Sequence, residues 1–166
     1  MTKTSTFRLQ TFRTPDFGVL GYADSDGRIA IYRRPVRRCA PDTEFDLRGV
    51  RKLPNVDIAF SYAGAKRHTI DALVAAGAKA IVIAAFAPGL PALDQRAGLK
   101  DARQVGVHVI VCSHAGSGRV IDRKFFRENG FLTADNLNPK KARILAMIGL
   151  GVTEDPKILQ RFYEEY

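Results

Sequence analysis

The stretch VDIAFSYAGAKRHTIDALVAAGAKAIVIAAF (56–86) decides the fold. VDIAFSYA (56–63) reads as a strand, KRHTIDALVAAG (66–77) as a helix ended by Gly77, and KAIVIAAF (79–86) as a strand. Ile70, Leu73, Val74 and Gly77 fall on one stripe at helical spacing. The second strand has no polar alternate residues, so both of its faces need a cover, as in a parallel sheet. The rhythm continues with PALDQRAGLKDARQVG (91–106), a helix ended by Gly106, and VHVIVCS (107–113), a third apolar strand. Apolar strands alternating with helices predict an α/β fold, a small parallel-sheet domain with flanking helices over 52–166.

Downstream, GSGR (116–119) breaks the rhythm and two capped helices close the chain. LNPKKARILAMIGLG (137–151) carries Asn138 as N-cap and Pro139 in the first turn. Its face of Ala142, Leu145, Ala146, Ile148 and Gly149 is expected against the sheet. DPKILQRFYEEY (155–166) begins with Asp155 as cap and Pro156, with Ile158, Leu159 and Phe162 expected inward.

Upstream the pattern changes. Residues 7–32 read as short strands and turns: FRLQTF alternates, PDFG turns, VLGYA is apolar, DSDG is a hairpin turn, and RIAIY alternates again. Residues 1–32 are thus expected to form a β-hairpin unit, which cannot build an independent core. Residues 33–51 read as a linker of mixed charge without a sustained period.

Composition narrows the function classes. At 166 residues, 46% hydrophobic and 26% charged, the chain suits one domain plus an appendage. No run approaches the ~20 apolar residues of a bilayer span, and the start lacks a secretory signal pattern, so no membrane partner is expected. The net charge of +9 concentrates in RRPVRR (33–38), but no aromatic residues interleave with these arginines to stack bases. A solvated linker is expected there, and no nucleic-acid partner. Cys39 and Cys112 are far apart without CxxC spacing, which leaves a disulfide between them open but favours one surface thiol and one core thiol. A strand would put Cys112 and His114 on one face, yet zinc needs three or four protein ligands, and His68 and His108 add none at helical spacing. No metal is expected. Without G-x-G-x-x-G after a strand, no dinucleotide cofactor is expected either.

Open parallel sheets bind ligands beyond the carboxyl ends of their strands. Those ends are SYAG (61–64), AAFAPGLP (84–91) and CSHAGSGR (112–119), where Gly89, Gly116 and Gly118 offer backbone amides to an anion or carboxylate. Nucleophilic catalysis needs a hydroxyl or thiol beside a base. There is no G-x-S-x-G elbow, and Ser113 and His114 point to opposite faces of a strand. The one hydroxyl–amine cluster is MTKTSTFRLQTF (1–12), with Lys3 among Thr2, Thr4, Ser5 and Thr6. On the residues alone the chain also fits a non-catalytic α/β module for oligomerisation or small-acid binding.

TKTSTFRLQTF (2–12), PDFGVLGY (15–22), RRPVRR with DTEFDL (42–47), and above all GFLTADNLNPKKARILAMIGL (130–150) closely resemble the C-terminal half of bacterial two-domain L-asparaginases. The resemblance implies hydrolysis of the asparagine side-chain amide to aspartate and ammonia through an acyl-enzyme, without a cofactor. It implies that the nucleophilic threonine, an assisting tyrosine and a Thr-Asp pair lie in an N-terminal half that this chain does not contain. Lys3, in its T-K-T setting, is similar to the family's catalytic lysine, and residues 1–32 would then be the end of the catalytic domain. L-asparagine as substrate, the missing N-terminal half and further copies of the chain in a homo-oligomer are the implied partners, and the chain alone is expected to be inactive. Two stretches depart from the family pattern. AAFAPGL (84–90) places Leu90 where relatives carry a polar residue, and RVIDRKFF (119–126) offers only Asp122, with Glu128 beyond, for the family's glutamate.

Overall fold

The computed structural model describes residues 2–14 and 16–166, and the chain divides into two compact units, residues 1–42 and 43–166. The larger unit is built on one sheet. After β1 (Thr2–Lys3), β2 (Phe12–Arg13), β3 (Gly21–Ala23) and β4 (Ile29–Ile31) of the smaller unit, β5 (Val56–Phe60), α1 (His68–Ala75), β6 (Ala80–Ala85), α2 (Leu93–Gln104), β7 (His108–Ser113), α3 (Lys124–Glu128), β8 (Leu132–Thr133), α4 (Pro139–Leu150) and α5 (Pro156–Glu165) follow in order. The four strands lie in the order β5-β6-β7-β8, every neighbouring pair parallel. The expected α/β domain is therefore present.

The apolar run that predicted it is buried at all six residues of β6. Side chains alternate between two cores, because successive strand residues face opposite ways. Val82, Ala84, Ile110 and Cys112 pack with Ala142, Leu145 and Ala146 of α4 and Leu159 and Phe162 of α5. Ile81, Ile83, Val109 and Val111 pack with Ile70 of α1 and Leu99 and Ala102 of α2. Both expected caps form: Asn138 Oδ1 accepts from the Lys141 amide at 3.1 Å, and Asp155 Oδ1 from the Lys157 amide at 2.8 Å.

One inward assignment is corrected. Ile158 is exposed, and Tyr163 takes the third inward place with Leu159 and Phe162. Leu159, Phe162 and Tyr163 (i, i+3 and i+4) define the buried stripe, and Ile158, although one turn from Phe162, lies at its margin, about 100° around the helix from Leu159. The buried Tyr163 hydroxyl donates to the Ala142 carbonyl at 2.9 Å, tying α5 to α4. Two short elements, α3 and β8, were not legible in the sequence; Phe126 and Phe131 anchor that stretch in the α1–α2 core.

Side chains cap backbone groups at both sheet edges. On β8, Thr133 donates its amide to Gln160 Oε1 at 2.9 Å and accepts from Gln160 Nε2 at 3.3 Å, so a side-chain amide takes the place of a fifth strand. On β5, the Val56 carbonyl accepts from Arg143 Nε at 2.6 Å and the Phe60 carbonyl from Gln95 Nε2 at 3.0 Å. Covered edges of this kind prevent pairing between sheets. At the start of this unit, Phe45 packs on the rings of Phe162 and Tyr166, each at 4.8 Å, and Glu44 pairs with Arg161 at 2.6 Å.

The smaller unit holds two antiparallel ribbons, β1 (Thr2–Lys3) with β2 (Phe12–Arg13) and β3 (Gly21–Ala23) with β4 (Ile29–Ile31). The expected strand over FRLQTF is corrected: only Phe12 of that stretch is in a strand, and Phe7 and Leu9 sit on the connecting loop, 96% and 101% exposed. Hydroxyls outcompete the ladder there, as short polar side chains do when they reach nearby backbone. Thr11 Oγ1 accepts from the Ser5 amide at 2.8 Å and donates to the Ser5 carbonyl, while Thr4 Oγ1 donates to the Thr11 carbonyl at 2.9 Å. The PDFG turn includes Pro15, which lies outside the described residues; Gly18 closes it by donating to the Thr14 carbonyl at 3.1 Å. Gly21 is required by close approach, since a Cβ there would stand 2.0 Å from the Ala30 carbonyl oxygen. Of RRPVRR, Arg33 is committed to the Val19 and Gly18 carbonyls, at 2.9 and 2.6 Å.

Two measurements test this account. Gln160→Ala leaves the Thr133 edge unsatisfied and is expected to cost about 1–3 kcal/mol in urea unfolding, with increased association at high concentration. His108 is buried at the amino end of β7, its Nδ1 without a hydrogen-bond partner. Burial first, then the Arg103 charge, lowers its pKa from the ordinary 6.5, against the attraction of Glu154. The unfolded chain then binds the extra proton, so stability is complete above about pH 6.5 and falls as pH drops through the window below it. His108→Leu should flatten that acid limb.

Candidate functional site

The carboxyl edge of the sheet is the place where an α/β domain offers a site. At the end of β5, Ser61 and Gln95 are both buried. Ser61 Oγ donates to Gln95 Oε1 at 2.7 Å and accepts from the Ala92 amide at 3.3 Å. With Gln95 Nε2 on the Phe60 carbonyl, this network is closed on itself, and the Ser61 hydroxyl serves structure. It binds the end of β5 to the start of α2.

After β6 the chain makes a tight turn, with the Phe86 amide donating to the Leu90 carbonyl at 3.1 Å and the Leu90 amide donating back at 2.9 Å. The Gly89 amide is also committed to the Phe86 carbonyl. Gly89 therefore does not offer its amide to an anion, contrary to the sequence expectation. Its glycine identity has another cause: φ is +114° and a Cβ would lie 2.6 Å from Val120 Cγ1. The turn is pressed onto the loop that follows β7. Gly116 and Gly118, by contrast, stand in open space on that exposed loop.

The third carboxyl end carries Cys112, Ser113 and His114. Cys112 is buried, its thiol donates to the Ile83 carbonyl at 3.4 Å, and burial pushes its pKa up to about 12. That thiol is neither a nucleophile nor a ready metal ligand. His114 is exposed and meets the ring of Phe86 edge-on at 5.6 Å, while Ser113 Oγ accepts from the Ala115 amide at 3.0 Å. Cys39 is exposed, and both cysteines are free thiols. No group of three His, Cys, Asp or Glu side chains that could hold a metal ion occurs among the described residues.

The sequence reading missed the acid that the fold places at this edge. Asp135, just after β8, has φ +48°, pairs with Arg119 Nε at 3.1 Å, and its carbonyl accepts from the Val120 amide at 2.9 Å. An Asp-Asn pair following a strand was the available signal, since these side chains tolerate the left-handed region. Asp122 is held by Arg127 at 2.6 Å and Glu128 lies 3.6 Å from Lys124, both on the surface.

In the smaller unit, Lys3 lies exposed on β1 opposite Phe12. The hydroxyls that surround it in sequence divide: Thr4, Ser5 and Thr11 close the loop, and Thr6 stands exposed.

A four-stranded parallel sheet between two helical layers, its carboxyl edge carrying a tight turn, a self-satisfied polar network and an exposed loop, defines an α/β domain that follows a ribbon-bearing segment. Residues 55–163 match the Glutaminase/Asparaginase C-terminal domain. The whole chain is 35% identical over 169 residues to the glutaminase-asparaginase of Pseudomonas fluorescens biotype A, covering 46% of that protein. It is 34% identical over 166 residues to L-asparaginase 2 of Bacillus subtilis, covering 100% of this chain and 44% of the relative. The crystal structure of a probable cytoplasmic L-asparaginase from Campylobacter jejuni superposes with a TM-score of 0.95 at 34% identity, covering 99% of this chain and 54% of that one. The chain belongs to the glutaminase/asparaginase family, and it spans about half the length of the curated relatives it matches, their C-terminal part.

Gly89→Ala should be strongly destabilising, by about 1–3 kcal/mol. In thermal unfolding, Val120→Ala should recover only the part due to collision, because the positive φ at residue 89 remains.

Proposed function

We propose that this chain supplies the C-terminal part of an amidohydrolase that converts L-asparagine and water to L-aspartate and ammonia. The observation that carries the proposal is the extent of the match: the complete chain, including the arm formed by the smaller unit of residues 1–42, aligns with enzymes named L-asparaginase or glutaminase-asparaginase. In this reading residues 1–32 are the end of the catalytic domain, 33–51 the linker and 52–166 the C-terminal domain. Lys3 is the catalytic member held by this chain, and the attacking threonine hydroxyl comes from a segment corresponding to the relatives' remaining length.

The chemistry is consistent with that division. A threonine hydroxyl is a weak nucleophile until a neighbouring group takes its proton, and the tetrahedral intermediate needs donors for its oxyanion. A lysine relays that proton when its surroundings desolvate the ammonium form. Lys3 lies exposed on a two-residue strand, so the companion segment provides both the nucleophile and the desolvating wall. The complete assembly is proposed to be a homo-oligomer.

Ammonia release from L-asparagine tests the proposal. The purified chain should release none above the blank. Co-expressed with the N-terminal part of L-asparaginase 2 from Bacillus subtilis, it should gain activity, and Lys3→Ala should reduce that activity by a factor of about 10² or more. Activity from the chain alone, or a co-expressed Lys3→Ala variant as active as the parent, overturns the reading.

A further inference from the structure

We propose that Asn129–Gly130 is a deamidation site kept closed by the helix stop after α3, and that its conversion to aspartate or isoaspartate is a one-way record of that turn having opened.

The sequence sets the hazard. Of the four asparagines, Asn129 alone precedes a glycine. With no side chain on the following residue, the backbone nitrogen can reach the asparagine carboxamide unhindered. The Gly130 nitrogen, having lost its proton to solvent, forms a bond to Asn129 Cγ. The Cγ–Nδ2 bond breaks, and Nδ2 takes up a proton and leaves as ammonia. Water then opens the five-membered imide. Cleavage of the new N–Cγ bond gives aspartate. Cleavage on the other side of the nitrogen gives isoaspartate, with the main chain routed through the former side chain.

The fold sets the lock. Helix α3 ends in a Schellman motif, with Asn129 as C-cap and Gly130 at φ +64°, the left-handed conformation the motif demands. The Gly130 amide donates to the Arg127 carbonyl at 3.2 Å, and the Phe131 amide to the Phe126 carbonyl at 2.9 Å. The buried rings of Phe126 and Phe131, stacked at 6.4 Å, make the apolar contact that accompanies such a stop. Asn129 Nδ2 donates to the Phe125 carbonyl at 2.7 Å, and the Gly130 carbonyl accepts from Arg103 Nε at 3.2 Å.

These bonds oppose the reaction part by part. The attacking nitrogen holds its proton against Arg127, and the leaving nitrogen is tied to Phe125. At ψ 7° the Gly130 nitrogen nearly eclipses the nitrogen of Asn129 itself, so it is turned away from Cβ, which occupies another corner of the Cα tetrahedron. Ring closure requires rotation about that bond, and the rotation breaks the Gly130–Arg127 hydrogen bond.

The same contacts make the step one-way. A carboxylate at 129 can only accept, so it repels the Phe125 carbonyl to which the carboxamide donated. It also adds negative charge at the carbonyl end of a helix. Isoaspartate lengthens the main chain by one carbon ahead of Gly130, which puts Gly130 and Phe131 out of register with their two carbonyls. The turn belongs to the readily opened part of the unit: α3 has five residues and Gly130 is exposed, whereas β6 is buried throughout.

Peptide mapping that resolves aspartate from isoaspartate, run beside amide hydrogen exchange on the full chain, tests the proposal. At one mildly alkaline pH and one temperature, Asn129 in the folded chain should convert at least tenfold more slowly than in the same chain unfolded by urea. In urea below the unfolding transition, conversion should rise in step with exchange of the Phe131 amide while Val82 and Val109 stay protected. Asn129→Asp, the simpler product, should speed Phe131 exchange at least tenfold with Val82 still protected. Equal conversion in folded and unfolded chains would overturn the proposal, because no lock exists. So would conversion that follows Val82 instead of Phe131, or an Asn129→Asp chain whose Phe131 amide exchanges like the parent's.

Discussion

Burial of β6 on both faces is the constraint from which the larger unit follows. Six consecutive apolar residues in the middle of a sheet leave no side for water, so helices must lie above and below it. The sequence supplies them in alternation, α1 and α2 for Ile81 and Ile83, and α4 and α5 for Val82 and Ala84. The strands' backbone groups are satisfied inside the sheet, and the problem moves to its edges. There the helices contribute again, with Gln160 on Thr133, Arg143 on Val56 and Gln95 on Phe60. The same elements that bury the faces close the borders.

The two units differ in where their polar groups are satisfied, although both expose large apolar side chains, Leu93 and Val105 in the larger unit among them. In the larger unit buried polar atoms such as the Tyr163 hydroxyl and the Ser61–Gln95 pair find partners within the fold. In the arm, hydroxyls satisfy only a loop, and large apolar side chains remain in solvent. The clamp of Glu44 and Phe45 on α5 fixes the first residues of the larger unit.

The candidate site divides in the same way. The carboxyl edge, where ligands enter many α/β proteins, is occupied by the Phe86–Leu90 turn, by Gly89 pressed on Val120, and by the Asp135–Arg119 pair. Cys112, the one thiol near that edge, is held protonated by burial. The reactive group the family resemblance assigns to this chain, Lys3, sits in the arm. Its T-K-T setting is the sequence feature that suggests it, whereas Asp135 offers only the Asp-Asn signal, because its place depends on a left-handed backbone and a partner sixteen residues upstream in the chain.

Local signals determined the α/β rhythm (hydrophobic periodicity), the helix ends at Gly77 and Gly106 (glycine stops) and the caps at Asn138 and Asp155 (capping side chains), because each depends on residues near one another along the chain. Local pattern misjudged Ile158 and the FRLQTF strand. In the first case one step of helix phase exchanged an isoleucine for a tyrosine that finds a buried carbonyl on α4. In the second, hydroxyl bonds across six residues replaced a strand by a loop. Only the tertiary structure decided which amides the Gly89 turn keeps for itself and which backbone groups at the sheet edges are capped by side chains. Those features depend on groups far apart in sequence meeting in space, and no spacing along the chain records such a meeting.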